Sequence, residues 1–151
     1  MPTYVEHGTA DLGVCGRDVL VEREADVYQP VDLAIGRCRL VVAGKVGAPP
    51  APRDRLLRVA TKYPRTAAAH FALRGSQVEV VNVQGSVELA PLTGLADLIV
   101  DLVETGTTLA ENGLEVKEEI SHVSSLLVAN RASYKLRPES VALAAAIRAA
   151  V

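Results

Sequence analysis

Two carboxylates and a threonine-glycine loop follow one short apolar strand in the second half of the chain. The stretch from Glu88 to Gly113 reads ELAPLTGLADLIVDLVETGTTLAENG. Its apolar run over residues 98–100 predicts a buried strand that delivers Asp101 and Glu104 to the carboxyl end of a sheet. Residues 105–108, Thr-Gly-Thr-Thr, then open a helix. Ligands of open α/β sheets bind at that end, so these residues are the first candidates for a site.

Each residue type in this stretch suits a different part of a phosphorylated sugar. Backbone N–H groups at the start of a helix, with threonine hydroxyls beside them, form a cradle for a phosphate dianion. Carboxylates do not bind phosphate, but they accept hydrogen bonds from vicinal ribose hydroxyls or hold a hydrated Mg²⁺. The pattern therefore predicts a site for a phosphorylated ribose.

Helix capping alone explains the same loop equally well, because threonine and glycine are common just before a helix. Glu104 would also favour a helix N-terminus through the helix dipole. Asp101 favours the binding site, because a carboxylate directly after an apolar run is costly without a partner.

Short apolar runs alternate with helical patterns along the chain, which is typical of an α/β protein with mainly parallel sheets. The predicted strands cover Leu12–Cys15, Val27–Leu33, Cys38–Ala43, Arg58–Thr61, Val78–Val83, Ala96–Val103 and Glu115–Val128. The predicted helices cover Asp18–Glu24, Tyr63–Arg74, Ser86–Leu92, Thr107–Asn112 and Pro138–Val151. Pro64 in the first turn and Gly75 after the last turn bound the second of these helices.

A run rich in proline and glycine, GKVGAPPAP over Gly44–Pro52, predicts a linker or hinge. It divides the chain into a first lobe, residues 1–50 with the terminal helix 138–151, and a second lobe, residues 51–137. The phosphate loop falls in the second lobe.

Composition excludes several classes of function. The chain has 151 residues, a formal net charge of -2 and only 3% aromatic residues, so it lacks the features that bind nucleic acid. No apolar stretch reaches the roughly 18–20 residues that a membrane span needs. The first ten residues do not resemble a secretory signal, so we expect a cytoplasmic protein. Cys15 and Cys38 are assigned no chemistry, and the three histidines are interpreted as ordinary surface or core residues.

The spacing of the central stretch resembles the signature of the ATP phosphoribosyltransferases that begin histidine biosynthesis. The residues that carry this resemblance are Glu88, Gly94, Ala96, Ile99, Asp101, Leu102, Thr105, Gly106 and Thr108. Further segments resemble the family in the same order: Tyr4–Gly8, Ala10–Gly13, Gly16–Asp18, Arg58–Pro64 and Asn130–Ser133. The resemblance extends over nearly the whole chain.

This resemblance implies a two-lobed fold like that of the periplasmic binding proteins, with ligands in the cleft. It also implies the transfer of a phosphoribosyl group from phosphoribosyl pyrophosphate to an adenine ring nitrogen of ATP, with Mg²⁺ as cofactor and pyrophosphate as the second product. Such a reaction needs positioning and charge stabilisation but no protein nucleophile.

The resemblance also assigns roles to individual residues. Thr105, Gly106, Thr107 and Thr108 would hold the 5-phosphate, and Asp101 and Glu104 would face the ribose. Asp11 and Glu88 would line the cleft near the metal and the purine, so that Asp101, Glu88 and Asp11 are the candidate catalytic residues and Asp11 and Asp101 the candidate metal ligands. For Asp11 the alternative is a turn residue, and for Glu88 it is an acid favoured early in a helix.

Four further residues keep two interpretations. Gly16 and Arg17 would contribute a cleft contact, although a helix cap explains them almost as well. Lys62 and Tyr63 are similar cases, in which a cleft contact is the alternative to the default interpretations: a solvated charge for Lys62 and a residue that packs beside the hinge for Tyr63.

Both ends of the chain differ from the full family pattern. Family members begin with a strand and a Pro-Lys-Gly-Arg-type loop before the segment that starts here at Pro2, so we expect an incomplete first lobe with unpaired strand edges. The end at Val151 resembles the short form of the family, which implies a homo-oligomer and a regulatory subunit similar to histidyl-tRNA synthetase. Two alternatives stay open: a catalytically silent subunit that binds phosphoribosyl compounds or nucleotides, and a truncated fragment.

Overall fold

The chain divides into two compact units in a computed structural model that describes residues 1–48 and 54–151. The first unit combines Met1–Arg37 with Val123–Val151, and the second unit is the continuous stretch Cys38–His122. The second unit is therefore inserted into the chain of the first.

The first unit is built on a three-stranded sheet. Its strand order is β1-β8-β2, and β8 runs antiparallel to both neighbours. The elements of this unit are α1 Pro2–Glu6, β1 Leu12–Gly16, α2 Arg17–Arg23, β2 Tyr28–Asp32, β8 Ser125–Ala129, α6 Arg131–Leu136 and α7 Pro138–Ala150.

The second unit is built on a five-stranded sheet of order β5-β4-β6-β3-β7. Strand β4 pairs in parallel with β5 and β6, whereas β3 pairs with β6 in the antiparallel sense. The elements, in chain order, are β3 Cys38–Lys45, β4 Leu57–Thr61, α3 Pro64–Leu73, β5 Val78–Asn82, α4 Leu89–Leu92, β6 Leu98–Val103, α5 Thr107–Glu111 and β7 Leu114–Val123.

The predicted α/β class is confirmed, and the parallel pairing of β5-β4-β6 lies at one side of the larger sheet. The antiparallel pairings of β3 and of the smaller sheet are additions that the sequence pattern did not predict. The single strand predicted over Glu115–Val128 is wrong, because it is two strands, β7 and β8, that belong to different sheets. Ser124 lies between them, and its carbonyl accepts the N–H of Arg17 at 3.0 Å.

The boundaries of the two units differ from those drawn at the proline-rich run. Gly44 and Lys45 belong to β3, which pairs with β6 over six residue pairs and so lies in the second unit. Residues 123–137 belong to the first unit because β8 pairs there. Residues 49–52 of the predicted hinge lie outside the described residues.

One face of the larger sheet carries the core that supports the predicted site. Its buried residues are Val41, Ala43, Ala60, Val87, Ala90, Ala96, Ile99, Val103, Leu109 and Leu114. Asp101 lies between Ile99 and Val103 on β6, and alternate residues of a strand share a face. Asp101 therefore projects from the same face as this core. Within the described residues, no helix has the length and apolar character needed to cross a membrane.

Asp97 holds the start of β6 to the start of β4. Its carboxylate accepts two hydrogen bonds from Arg55, both at 2.7 Å, and one from the backbone N–H of Arg58 at 2.8 Å. The Arg55 hydrogen bonds, helped by the Arg58 amide, lower the pKa of Asp97 to about 2 although partial burial opposes the shift.

We expect Asp97→Asn to lower the free energy of unfolding by about 1 kcal/mol near neutral pH. The reason is the loss of the half-exposed, charged hydrogen bonds between the Asp97 carboxylate and Arg55. The folded-state pKa lies below the ordinary value of about 4, so this stabilisation is present above about pH 4 and is lost as the pH falls toward 2. Urea unfolding of both proteins at neutral pH and at about pH 3 measures the difference. A gap that stays constant between the two pH values would contradict this origin.

Candidate functional site

The predicted phosphate loop forms the connection between β6 and α5. Gly106 is the residue before α5 and has φ 85° and ψ 0°, a left-handed conformation that side chains disfavour. Thr105 and Thr107 share a hydrogen bond between their hydroxyls at 3.0 Å, and the N–H of Thr107 points to Thr105 Oγ1 at 3.4 Å. Thr105, Thr107 and Thr108 are exposed, so their hydroxyls are accessible to a ligand.

Asp101 lies four residues before this loop and is half-buried. The N–H of Leu102 donates to its Oδ1 at 2.9 Å. Burial raises the pKa of Asp101, the Leu102 hydrogen bond and the charge of Lys62 lower it, and the charge of Glu88 raises it. The carboxylate is thus partly desolvated and lies within electrostatic reach of one cation and one further acid.

Glu88 reaches this neighbourhood from the segment that precedes α4. It follows Val87, which is fully buried in the core beneath α4 and α5. The structure therefore brings together Glu88, Asp101, Glu104 and residues 105–108 in the second unit. Glu104 itself is exposed at the start of the loop.

Asp11, Gly16 and Arg17 lie in the first unit and have partners there. Asp11 accepts a hydrogen bond from Ser133 Oγ at 2.5 Å and forms an ion pair with Arg137 at 2.8 Å. Arg17 pairs with Asp32 at 3.2 Å. Gly16 caps α2, and a Cβ at this position would lie 2.1 Å from Asp18 Oδ1. Each of the three thus has a structural role within its own unit.

Lys62, for which the sequence favours a solvated charge over a cleft contact, lies near Asp101, and its charge lowers the pKa of that residue. It follows β4 directly, and β4 lies beside β6 in parallel register. Thr61 fixes this end of β4, because its buried hydroxyl donates to the carbonyl of Val100 at 2.7 Å and accepts the N–H of Tyr63 at 2.9 Å. The signal for Lys62 in the sequence was its place after an apolar strand, the same place that Asp101 holds.

The carboxylates of Asp101 and Glu88 fit a magnesium ion that is bound together with a phosphorylated substrate. The described part of the chain contains no group of three or more His, Cys, Asp or Glu residues that could hold a metal ion. Mg²⁺ bound together with a phosphorylated substrate needs only one or two protein carboxylates, since water and phosphate oxygens complete its shell. Asp101 and Glu88, whose like charges disfavour each other, meet that smaller requirement.

A cavity of about 920 Å³ in the second unit lies at the other end of the sheet. Its lining includes Lys45, Arg58, Phe71 and Asp97, near the starts of β4 and β6. None of the predicted site residues lines this cavity. The candidate site is therefore defined by its side chains and by the carboxyl ends of the strands rather than by the volume of a cavity.

Comparison with known proteins identifies the family. The family model described as ATP phosphoribosyltransferase matches residues 1–149. The chain belongs to the ATP phosphoribosyltransferase family. The resemblance predicted from the Glu88–Thr108 signature is therefore confirmed.

Individual members of the ATP phosphoribosyltransferase family are closely similar to this chain. The ATP phosphoribosyltransferase of Sorangium cellulosum is 61% identical over 145 residues, which cover 93% of this chain and 65% of the relative. A chain of the ATP phosphoribosyl transferase (HisG:HisZ) complex from Thermotoga maritima superposes with a TM-score of 0.89 at 40% identity, over 99% of this chain and 72% of that chain. The chain thus spans about two thirds of the length of these relatives.

More distant solved structures show the fold alone. The periplasmic aliphatic sulphonate binding protein SsuA from Escherichia coli has a TM-score of 0.63 at 14% identity and covers 98% of this chain. The expected likeness of the family's fold to the periplasmic binding proteins is therefore confirmed.

Proposed function

We propose that this chain takes part in the first step of histidine biosynthesis as the phosphoribosyl-binding part of an ATP phosphoribosyltransferase. In this reaction an adenine ring nitrogen of ATP forms a bond to the anomeric carbon of phosphoribosyl pyrophosphate. The bond from that carbon to pyrophosphate breaks, and its electron pair leaves with the pyrophosphate oxygen. Membership of the ATP phosphoribosyltransferase family supports this assignment.

The observation that carries the proposal is the half-buried Asp101 next to Glu88 and just before the exposed threonine hydroxyls of residues 105–108. In the proposed complex these hydroxyls and the backbone N–H groups of the loop bind the 5-phosphate. Asp101 accepts the ribose hydroxyls, and Glu104 lies at the rim of the same loop. A carboxylate bonded to both hydroxyls fixes the sugar for attack at its anomeric carbon, which is catalysis by positioning.

Asp101 and Glu88 would also hold Mg²⁺ through one or two direct or water-mediated contacts, together with the pyrophosphate oxygens. When bound there, the ion would neutralise charge that develops on the departing pyrophosphate. Both carboxylate oxygens of Asp11 have protein partners, so we assign the ion to Asp101 and Glu88 and leave Asp11 a positioning role in the first unit.

The proposal extends to partners and setting. The solved relative from Thermotoga maritima is a complex of HisG with HisZ, which supports a second protein as a partner of this chain. We further propose that this partner is a regulatory subunit and that the assembly contains several copies of this chain. We also propose the cytoplasm as the setting of the reaction.

Release of pyrophosphate tests the proposed reaction. The 151-residue chain is mixed with phosphoribosyl pyrophosphate, ATP and Mg²⁺, first alone and then with a candidate regulatory subunit. We expect release that requires ATP and is lost in Thr105→Ala. Binding of phosphoribosyl pyrophosphate without release in either mixture would contradict the transferase and leave a binding subunit, and absence of binding by the folded chain would contradict the whole assignment.

A further inference from the structure

The register of the larger sheet places Lys62 beside Asp101. Strands β4 and β6 pair in parallel as Val59 with Leu98, Ala60 with Ile99 and Thr61 with Val100. Ala60 and Ile99 both lie in the core beneath α4 and α5. Two residues further along each chain come Lys62 and Asp101. Asp101 continues on that face because the side-chain period of a strand is two residues. Lys62 is the first residue after β4 and lies close enough for its charge to act on Asp101.

Local hydrogen bonds fix the end of β4 and hence the position of the Lys62 backbone. The Thr61 hydroxyl is fully buried and donates to the carbonyl of Val100, the residue before Asp101. The carbonyl of Thr61 accepts the N–H of Val83 on the other side. The backbone that carries Lys62 is therefore bonded to both neighbouring strands, while its side chain is exposed.

Several other cations among the described residues of the second unit have carboxylate or carbonyl partners. Ion pairs with carboxylates hold Arg39 to Glu119, Arg55 to Asp97, Arg74 to Glu118 and Lys117 to Glu115. Arg58 donates to the carbonyl of Gly94 at 2.9 Å, near the start of β6. The register also places Arg39 at this end, opposite Val103, but its guanidinium pairs with Glu119. Lys62, which follows β4 directly, is a cation whose charge acts on Asp101.

The stereochemistry of the proposed substrate gives this cation a role. In phosphoribosyl pyrophosphate the pyrophosphate lies on the same side of the ribose ring as the 2- and 3-hydroxyls. A carboxylate that accepts those hydroxyls therefore lies on the pyrophosphate side of the sugar. A cation near that carboxylate can therefore reach the pyrophosphate oxygens.

We propose that Lys62 binds the pyrophosphate of phosphoribosyl pyrophosphate and stabilises it as it leaves. This inference rests on the proposed function and adds the residue that receives the leaving group. As the bond between the anomeric carbon and oxygen breaks, its electron pair moves onto the pyrophosphate. The ammonium of Lys62 stabilises that added charge and keeps its own protons.

Comparing phosphoribosyl pyrophosphate with ribose 5-phosphate shows whether Lys62 binds the pyrophosphate or contributes to ligand binding in general. Ribose 5-phosphate carries the 5-phosphate and the hydroxyls but no pyrophosphate, so it reports on the threonine loop and Asp101 alone. Calorimetry with the full chain and Mg²⁺ measures both affinities for wild type, Lys62→Met and Lys62→Arg. Lys45→Met is the matched control, because Lys45 ends β3 at the other end of the same sheet.

We expect Lys62→Met to weaken the binding of phosphoribosyl pyrophosphate about tenfold and to change that of ribose 5-phosphate less than about twofold. Lys62→Arg should recover most of the loss, and Lys45→Met should bind both ligands like wild type. Equal weakening of both ligands, or no weakening of either, would overturn the role of Lys62 while leaving the proposed function in place. Wild-type protein that binds neither ligand would overturn the proposed function and this inference together.

Discussion

Replacing Asp101 with asparagine is expected to weaken the binding of phosphoribosyl pyrophosphate about a hundredfold, because two hydrogen bonds to a charged acceptor are lost. An amide group has nearly the same shape as the carboxylate. Its oxygen can still accept the N–H of Leu102, which lies 2.9 Å from Asp101 Oδ1. The change therefore removes charge and acceptor capacity but not the local backbone geometry.

Stability separates this effect from simple damage to the fold. Burial raises the pKa of Asp101, which means that its charge is unfavourable in the folded protein without a ligand. Asp101→Asn should accordingly unfold at the same temperature as wild type or at a higher one. Asp54→Asn, at an exposed position of the same unit, is the matched control and should change neither property.

Calorimetric titration with phosphoribosyl pyrophosphate and Mg²⁺ measures the first expectation, and thermal unfolding measures the second. Affinity that stays within about twofold of wild type would contradict the role of Asp101. The raised pKa adds a pH signature, because protonation removes the acceptor. Binding should therefore decline on acidification at a higher pH than an ordinary aspartate would dictate.

Asn130→Ala is expected to lower the free energy of unfolding by about 3 kcal/mol, because four hydrogen bonds of a buried amide are lost at once. The Asn130 Nδ2 donates to the carbonyls of Val5 at 2.8 Å and Glu6 at 3.1 Å. Its Oδ1 accepts the N–H groups of Ala132 and Ser133, both at 3.0 Å. One side chain thus caps α6 and bonds to the last residues of α1.

A second variant separates the capping of α6 by Asn130 Oδ1 from the bonds of Asn130 Nδ2 to α1. Asn130→Asp retains an oxygen that caps α6 but places a carboxylate against the carbonyls of Val5 and Glu6. It should therefore also destabilise the protein, which a capping role alone would not predict. Asn82→Ala, at an exposed position at the end of β5, is the control for loss of an asparagine.

Urea unfolding followed by tyrosine fluorescence measures these changes in the first unit. The chain has no tryptophan and four tyrosines, of which Tyr4, Tyr28 and Tyr134 lie in the first unit. A loss below about 1 kcal/mol for Asn130→Ala would show that the four bonds contribute no more than a typical single one.

Local signals in the sequence were sufficient for the elements that carry the phosphate loop. The apolar run at residues 98–100 and the Thr-Gly-Thr-Thr segment predicted β6 and α5 because burial and helix initiation depend on neighbouring residues. Pro64 and Gly75 likewise predicted the bounds of α3. The role of Lys62 could not be predicted in the same way, because it depends on the register between β4 and β6, strands that are distant in sequence.

The short helices and the unit boundaries depend on similar long-range contacts. Helix α6 begins where Asn130 caps it, and that side chain is held by carbonyls more than a hundred residues earlier in the chain. The proline-rich run after β3 was the strongest local sign of a boundary, yet β3 pairs with β6 and belongs to the second unit. Strand pairing over a long separation therefore outweighed the local composition.

The central position of β8 in the smaller sheet sets an order of events on the ribosome. Strands β1 and β2 each pair with β8, and about a hundred residues separate the end of β2 from the end of β8. At typical translation rates this interval lasts roughly 5 to 20 seconds. The inserted second unit is synthesised within that interval and has all five of its strands before β8 emerges. Strands β1 and β2 therefore lack their pairing with β8 throughout this interval.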